Sequence, residues 1–155
     1  MKLTTHHDIV APIDTIFKVL SDTTRWERAA IRRGVTVNRT DAGRDLVVGA
    51  VWAVKASFRG KMRDLTITVM DVTRPNQIVT EAKTALFSAV VSVDLIEFSP
   101  HKTRVSFSME TKPNTLAARI MLQSAKLAKK SIKQRFDKRV GALLTDLAER
   151  ISYEV

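Results

Sequence analysis

The sequence predicts an α+β fold: a single antiparallel sheet of about seven strands, two short helices near the start and one long helix at the end. Three observations carry that expectation. From Val35 to Thr111 the apolar residues recur mostly at every second position, the spacing of strands. Before them, Ile13, Ile16, Phe17 and Leu20 fall at i, i+3, i+4 and i+7, one face of a helix. From Asn114 onward the pattern is helical to the end, with no proline and with Gly141 as its only glycine.

Each element has local reasons. The residues up to Ile9 read as a strand, and Pro12 switches the spacing, suiting the first helical position because its missing N–H has no partner there. Asp14 adds a negative charge where the helix dipole favours it. In "SDTTRWERAAIRRG", Asp22, Thr23 or Thr24 caps a second short helix and Gly34 stops it. Val48, Ala50, Trp52, Val54, Ala56 and Phe58 then form the larger, more apolar face of a strand. Phe87, Ala89, Val91, Val93 and Leu95 repeat the alternation, as do Val105, Phe107 and Met109. Gly60, Pro75-Asn76 and Pro100-His101 punctuate these runs as turns. In "LTITVMDV" the inner face is assigned to Leu65, Ile67 and Val69 rather than to Met62 and Met70. Asn114 is the expected N-cap of the last helix. Its early apolar set (Leu116, Ile120, Met121, Leu127, Ala128, Ile132) is displaced by roughly a quarter turn from the later one (Phe136, Val140, Leu143, Leu144, Leu147, Ile151). One surface can hold both only if the helix bends, between Lys129 and Gln134, with Ile132 and Phe136 both facing the sheet.

Composition narrows the function. The 155 residues suffice for one domain with a real core, and no repeat or linker divides them. Without cysteine, disulfides, thiolate metal sites and cysteine nucleophiles are excluded. "MKLTTHHD" lacks a signal-peptide apolar block, and no apolar run reaches the roughly 18–20 residues of a spanning helix. A cytoplasmic location is the expectation. The charge is unusual: 26 Lys+Arg against 16 Asp+Glu, a net of +10. Eight of those bases and one acid, Asp137, lie between Arg119 and Arg139. Arg119, Lys126, Lys129, Lys130 and Lys133 share a helix face that suits an anionic membrane or an acidic protein, unless it is merely solvated. Nucleic acid fits less well, since no aromatic side chains are interleaved with these lysines for stacking.

The order of elements, the "APIDTIF" junction, the Trp26-bearing second helix and "VGAVWAV" entering a long strand together resemble the SRPBCC superfamily along essentially the whole chain. That superfamily includes START lipid-transfer domains, polyketide cyclase/dehydrase-like proteins and birch-pollen-allergen-like proteins. The resemblance implies the helix-grip fold, a curved sheet with the long helix across its concave face. It also implies a cavity between them for a hydrophobic or amphipathic small molecule such as a lipid. The glycine-rich loop of the allergen branch is missing, since "DAGRDLVVG" holds only Gly43 and Gly49, and so are the metal ligands of the oxygenase branch. No cofactor is implied.

On inward parity, the candidate ligand-binding residues are Trp52, Val54, Phe58, Thr80, Thr84, Phe87, Val91, Phe107 and Met109 of the sheet. Facing them are Leu116, Ile120 and Ser124 of the last helix. Thr80 and Thr84 offer polar handles, unless their hydroxyls bond the backbone. Adjacent His6 and His7 point to opposite faces of a strand, which argues against a metal site. His7, sharing the parity of Leu3, Thr5 and Ile9, is the one acid–base candidate. No nucleophile constellation and no phosphate-cradling glycine loop is present. The leading expectation is a carrier of a hydrophobic small molecule. The rivals are a pocket enzyme of cyclase, dehydratase or hydrolase type, and an interaction module docking through its basic helix.

Overall fold

The structure, a computed structural model, describes residues 1–58 and 60–154, without the side chains of Phe58, Tyr153 and Glu154. Its strands are β1 (Lys2–Ile9), β2 (Thr36–Arg39), β3 (Val51–Phe58), β4 (Lys61–Thr73), β5 (Gln77–Lys83), β6 (Phe87–Ser99) and β7 (Lys102–Pro113). They form one seven-stranded antiparallel sheet in the order β1-β7-β6-β5-β4-β3-β2. The meander therefore runs across the sheet, and the N-terminal strand joins its last member. Helices α1 (Ile13–Leu20) and α2 (Thr23–Arg32) lie between β1 and β2; α3 (Leu116–Leu127) and α4 (Lys129–Glu154) follow β7. The α+β architecture is the one expected, a curved sheet with helices on its inner face.

Alternation sets that face. Trp52 pairs with Ile67, Val54 with Leu65 and Val91 with Met109, so the larger side chains of neighbouring strands stand together. Val69 and Val105 are fully enclosed, whereas Met62 and Met70 are exposed, as the reading of "LTITVMDV" requires. The helices complete the core through Ile16, Phe17 and Leu20 of α1 and through Val140, Leu144, Leu147 and Ile151 of α4. The last four recur at i, i+4, i+7 and i+11, a single stripe on α4.

The junction after β1 is pinned from the far end of the chain. Thr103, completely buried on β7, donates its hydroxyl to the Ala11 carbonyl at 2.9 Å. Pro12 has extended backbone and occupies the N-cap, one position earlier than expected, with α1 starting at Ile13. Asp22 caps α2 by accepting from the Arg25 amide, and Gly34 follows with φ +82°.

Three expectations shift. Strand β3 begins at Val51, not Val48, which is 61% exposed. Asp41 reorganises that segment: its carboxylate accepts from the Val51 and Gly43 amides, holding residues 41–50 in a loop that Gly49 turns at φ +90°. The cap of α3 is Thr115, whose hydroxyl accepts from the Ala118 amide. Asn114 instead bonds Ser88 and the Thr84 carbonyl. The bend expected from Lys129 onward is a complete break at Ala128, with φ −103° and ψ 20°, so the one long helix is two. Beyond it Ile132 and Phe136 are half-buried, and Phe136 packs on the core.

Candidate functional site

Two apolar cavities lie between the sheet and the helices. The inner one, about 440 Å³, is walled by Trp52, Val54, Ile67, Ile78, Thr80, Val91, Val93 and Phe107 of the sheet. Trp26, Glu27 and Ala30 of α2, with Leu143 of α4, close it. Among the described residues lining it, Glu27 alone is ionisable, and its carboxylate accepts from the Trp52 indole N–H at 2.9 Å. Above the same indole the Arg39 guanidinium lies 5.0 Å from the ring centroid, a cation–π contact. Arg39 is fixed by Asp41 at 2.8 Å and by the Asp45 carbonyl at 2.6 Å. That ion pair, with the Val51 and Gly43 amides, holds the Asp41 carboxyl well below the usual carboxylate range and raises the Arg39 value. Thr23 ties the start of α2 to the same loop by donating to the Arg44 carbonyl. The polar groups beside this cavity thus hold its wall in place.

The second cavity, about 730 Å³, lies where α3 crosses the far ends of the strands. Ala56, Arg63 and Leu65 come from β3 and β4, Thr84, Leu86 and Phe87 from the β5–β6 turn, and Ile120, Met121, Leu122, Ser124 and Ala125 from α3. Arg63 is its one ionisable lining residue among those described.

The sequence candidates divide between these spaces. Trp52, Val54, Thr80, Val91 and Phe107 line the inner cavity, while Thr84, Phe87, Ile120 and Ser124 line the outer. The side chain of Phe58 lies outside the described residues. Met109 is half-buried beside β1 and lines neither space. Both threonine hydroxyls bond the backbone, Thr80 to the Val91 carbonyl and Thr84 within its turn.

Leu116 needs correction: it does not face the sheet but is 73% exposed. The side of α3 toward the sheet carries Ala118, Leu122 and Ala125, and its two alanines are small enough for the helix to lie close on the strands. That turns Leu116 and Leu127 outward, with Ile120, 58% exposed, at the rim of the outer cavity; the three fall within about 40° of one another on the helical wheel. Arg119 and Lys126 flank that stripe, and Lys129 and Lys130 begin α4 beside it; all four are exposed. Lys133 differs from the other candidates on the basic face, since it pairs with Asp137 at 3.0 Å and donates to the Thr4 carbonyl, fastening α4 to β1.

His7 faces the helices but meets α4, not an apolar cavity. A Cβ at Gly141 would come within 3.3 Å of its ring, and with Thr145, Glu149 and Ser152 it lines a groove of about 390 Å³. Neighbouring Asp8 is held by Arg104 at 2.9 Å, which lowers its carboxyl from the ordinary value. Among the described residues no group of three or more His, Asp or Glu side chains is placed to hold a metal ion. No helix among them is long and apolar enough to cross a membrane.

Sequence parity could have found Arg63, which shares its face with Leu65 and Ile67. Glu27 carries no such signal, because its role appears only when α2 packs over Trp52.

No protein-family model matches the chain, and no curated protein matches it. Solved structures do. A Thermus thermophilus protein superposes with a TM-score of 0.67 at 14% identity, covering 99% of both chains. A Streptomyces aromatase/cyclase gives 0.64 at 15% identity over 97% of this chain and 95% of its own. A START superfamily protein from Mycobacterium smegmatis gives 0.54 at 13% identity over 88% and 97%. Seven antiparallel strands in this order, gripping C-terminal helices, together with these superpositions, give the chain the helix-grip fold.

Proposed function

We infer that the protein binds a hydrophobic or amphipathic small molecule in its inner cavity. The observation that carries this reading is the cavity's lining: about 440 Å³ bounded by aliphatic and aromatic side chains, with a lone carboxylate already engaged by Trp52. Its size falls within the range of small-molecule sites, and so does its mostly apolar character with few polar groups. One neighbour of this fold is an aromatase/cyclase. Proton transfer in such a reaction calls for acid and base groups at the substrate. A single occupied carboxylate favours binding without turnover.

The test is titration with the neutral, environment-sensitive probe Nile red. Micromolar binding, about −8 kcal/mol, is expected. Val91→Trp should abolish it while thermal melting stays cooperative, because a real cavity accepts volume that a packed core rejects. Failure of wild-type protein to bind, together with unfolding of this variant, would show a solid interior.

A second reading is carried by the outer face of α3. Exposed Leu116, Ile120 and Leu127 beside Arg119, Lys126, Lys129 and Lys130 suit an anionic bilayer. Four basic groups at such a surface contribute about 4 kcal/mol, lost as salt rises. Sedimentation with phosphatidylserine vesicles at low salt, weakened by Leu127→Asp and by salt, is expected. Equal sedimentation with neutral vesicles would refute the charge-based account.

A further inference from the structure

A fourth space lies apart from the apolar pair and the His7 groove. Between α2 and α4 runs a groove of about 520 Å³, floored by Val19, Ala29 and Leu147. Its charged lining is Arg25, Arg32, Arg33 and Arg150 against a single carboxylate, Asp146. Asp146 is paired with Arg150 at 3.1 Å, and Arg25 is near Asp22 at 3.9 Å. Arg32 and Arg33 are exposed, and neither has an ion pair among the described residues. The groove therefore has a marked excess of positive charge over an apolar floor.

Its position gives that charge meaning. Trp26, Ala30 and Leu143 line both this groove and the inner cavity, so three side chains form the wall between them. Trp26 is held by its indole N–H, which donates to the Leu20 carbonyl at 2.8 Å, and is 36% exposed. The α2 side of the wall is Trp26 and Ala30, of which Ala30 contributes only a methyl group. A ligand lying across this wall would have its apolar part among Trp52, Ile78 and Phe107, and its polar end among guanidinium groups. Guanidinium presents a planar fork of donors matched to carboxylate and phosphate oxygens.

We propose that the groove binds the anionic head, carboxylate or phosphate, of an amphipathic ligand whose apolar body fills the inner cavity. The proposal rests on the cavity-binding reading above and adds the charge of the ligand to it. Arg32 and Arg33 are the specificity-determining groups, since Arg25 and Arg150 already have acidic neighbours.

The experiment compares probes with the same twelve-carbon chain, dodecanoate, dodecyl phosphate and dodecanol, each displacing Nile red or followed by calorimetry below its micelle concentration. Wild-type protein should prefer one or both anions to the alcohol by about tenfold, and the better of the two identifies the head group. In the double variant Arg32→Gln, Arg33→Gln the preference should disappear while dodecanol binding is unchanged. Raising salt from about 0.1 M to about 1 M should shrink the wild-type preference as charges are screened. Equal binding of anions and alcohol by the wild type would overturn the head-group assignment and leave the cavity reading intact. So would a preference that survives the double variant, or one lost instead in Arg63→Gln, which would move the head to the outer cavity. Binding of none of the probes would overturn both.

Discussion

Replacing Glu27 separates two roles for the one carboxylate at the inner cavity. Its bond to the Trp52 indole is 2.9 Å long, and Trp52 is 8% exposed. Glu27→Ala leaves a largely buried N–H without this acceptor. A charged hydrogen bond contributes about 1.5–3 kcal/mol, and the partial solvent access of Glu27 brings the expected loss to about 1–2 kcal/mol. For a domain of this size that lowers the melting temperature by roughly 2–8 °C. Glu27→Gln keeps an acceptor oxygen and removes the charge, so it should recover most of the loss. Thermal melts by circular dichroism, paired with Nile red titration, read both properties. If Glu27 serves the wall, Glu27→Gln binds the probe as the wild type does. A Glu27→Ala protein as stable as the wild type would refute the reasoning about the bond. A stable Glu27→Gln protein that no longer binds would show that the charge acts on the ligand.

Thr103→Val removes the buried hydroxyl that holds the Ala11 carbonyl and should cost about 1–3 kcal/mol by urea denaturation, with Thr103→Ser losing less; equal stability of the valine variant would contradict this. Asp41→Asn should destabilise at neutral pH, because the native carboxyl titrates below its unfolded value. The difference should then narrow as pH falls below about 4, where the unfolded aspartate takes up its proton, and a gap constant with pH in thermal melts would refute the ion-pair account. Leu144→Ala, at a site 2% exposed where α4 meets the core, should cost about 2–5 kcal/mol in the same denaturation assay.

Where a single local rule governs, the sequence was easy to read. Alternation put Leu65, Ile67 and Val69 inside, Gly34 stopped α2, and the displaced stripes called for a discontinuity, which falls at Ala128, just before the stretch Lys129 to Gln134 where it was expected. The misreadings have a common physical origin in interactions between side chains and distant backbone. Val48 belongs to a run that alternates well, yet the Asp41 carboxylate takes the Val51 amide and the chain before it turns at Gly49, so the strand opens only at Val51. On α3 the larger apolar residues suggested the buried face, but proximity to the strands selected Ala118 and Ala125 and left Leu116 outside. The arginine groove was invisible because Arg32, Arg33 and Arg150 meet only after α2 and α4 pack together. Of the candidate ligand contacts, those on central strands were placed by parity alone, whereas the helical ones required the orientation of α3.

The break at Ala128 has a consequence for how the molecule opens. Helix α4 is anchored by four buried side chains, whereas α3 buries only Ala118. Without a continuous hydrogen-bond ladder between them, α3 is a separate cooperative unit whose local unfolding free energy falls well below that of the whole domain. Its amides should exchange with deuterium long before those of Val140 to Leu147. Because α3 forms one side of the 730 Å³ cavity, each such excursion uncovers that space while the sheet, α4 and the inner cavity stay closed.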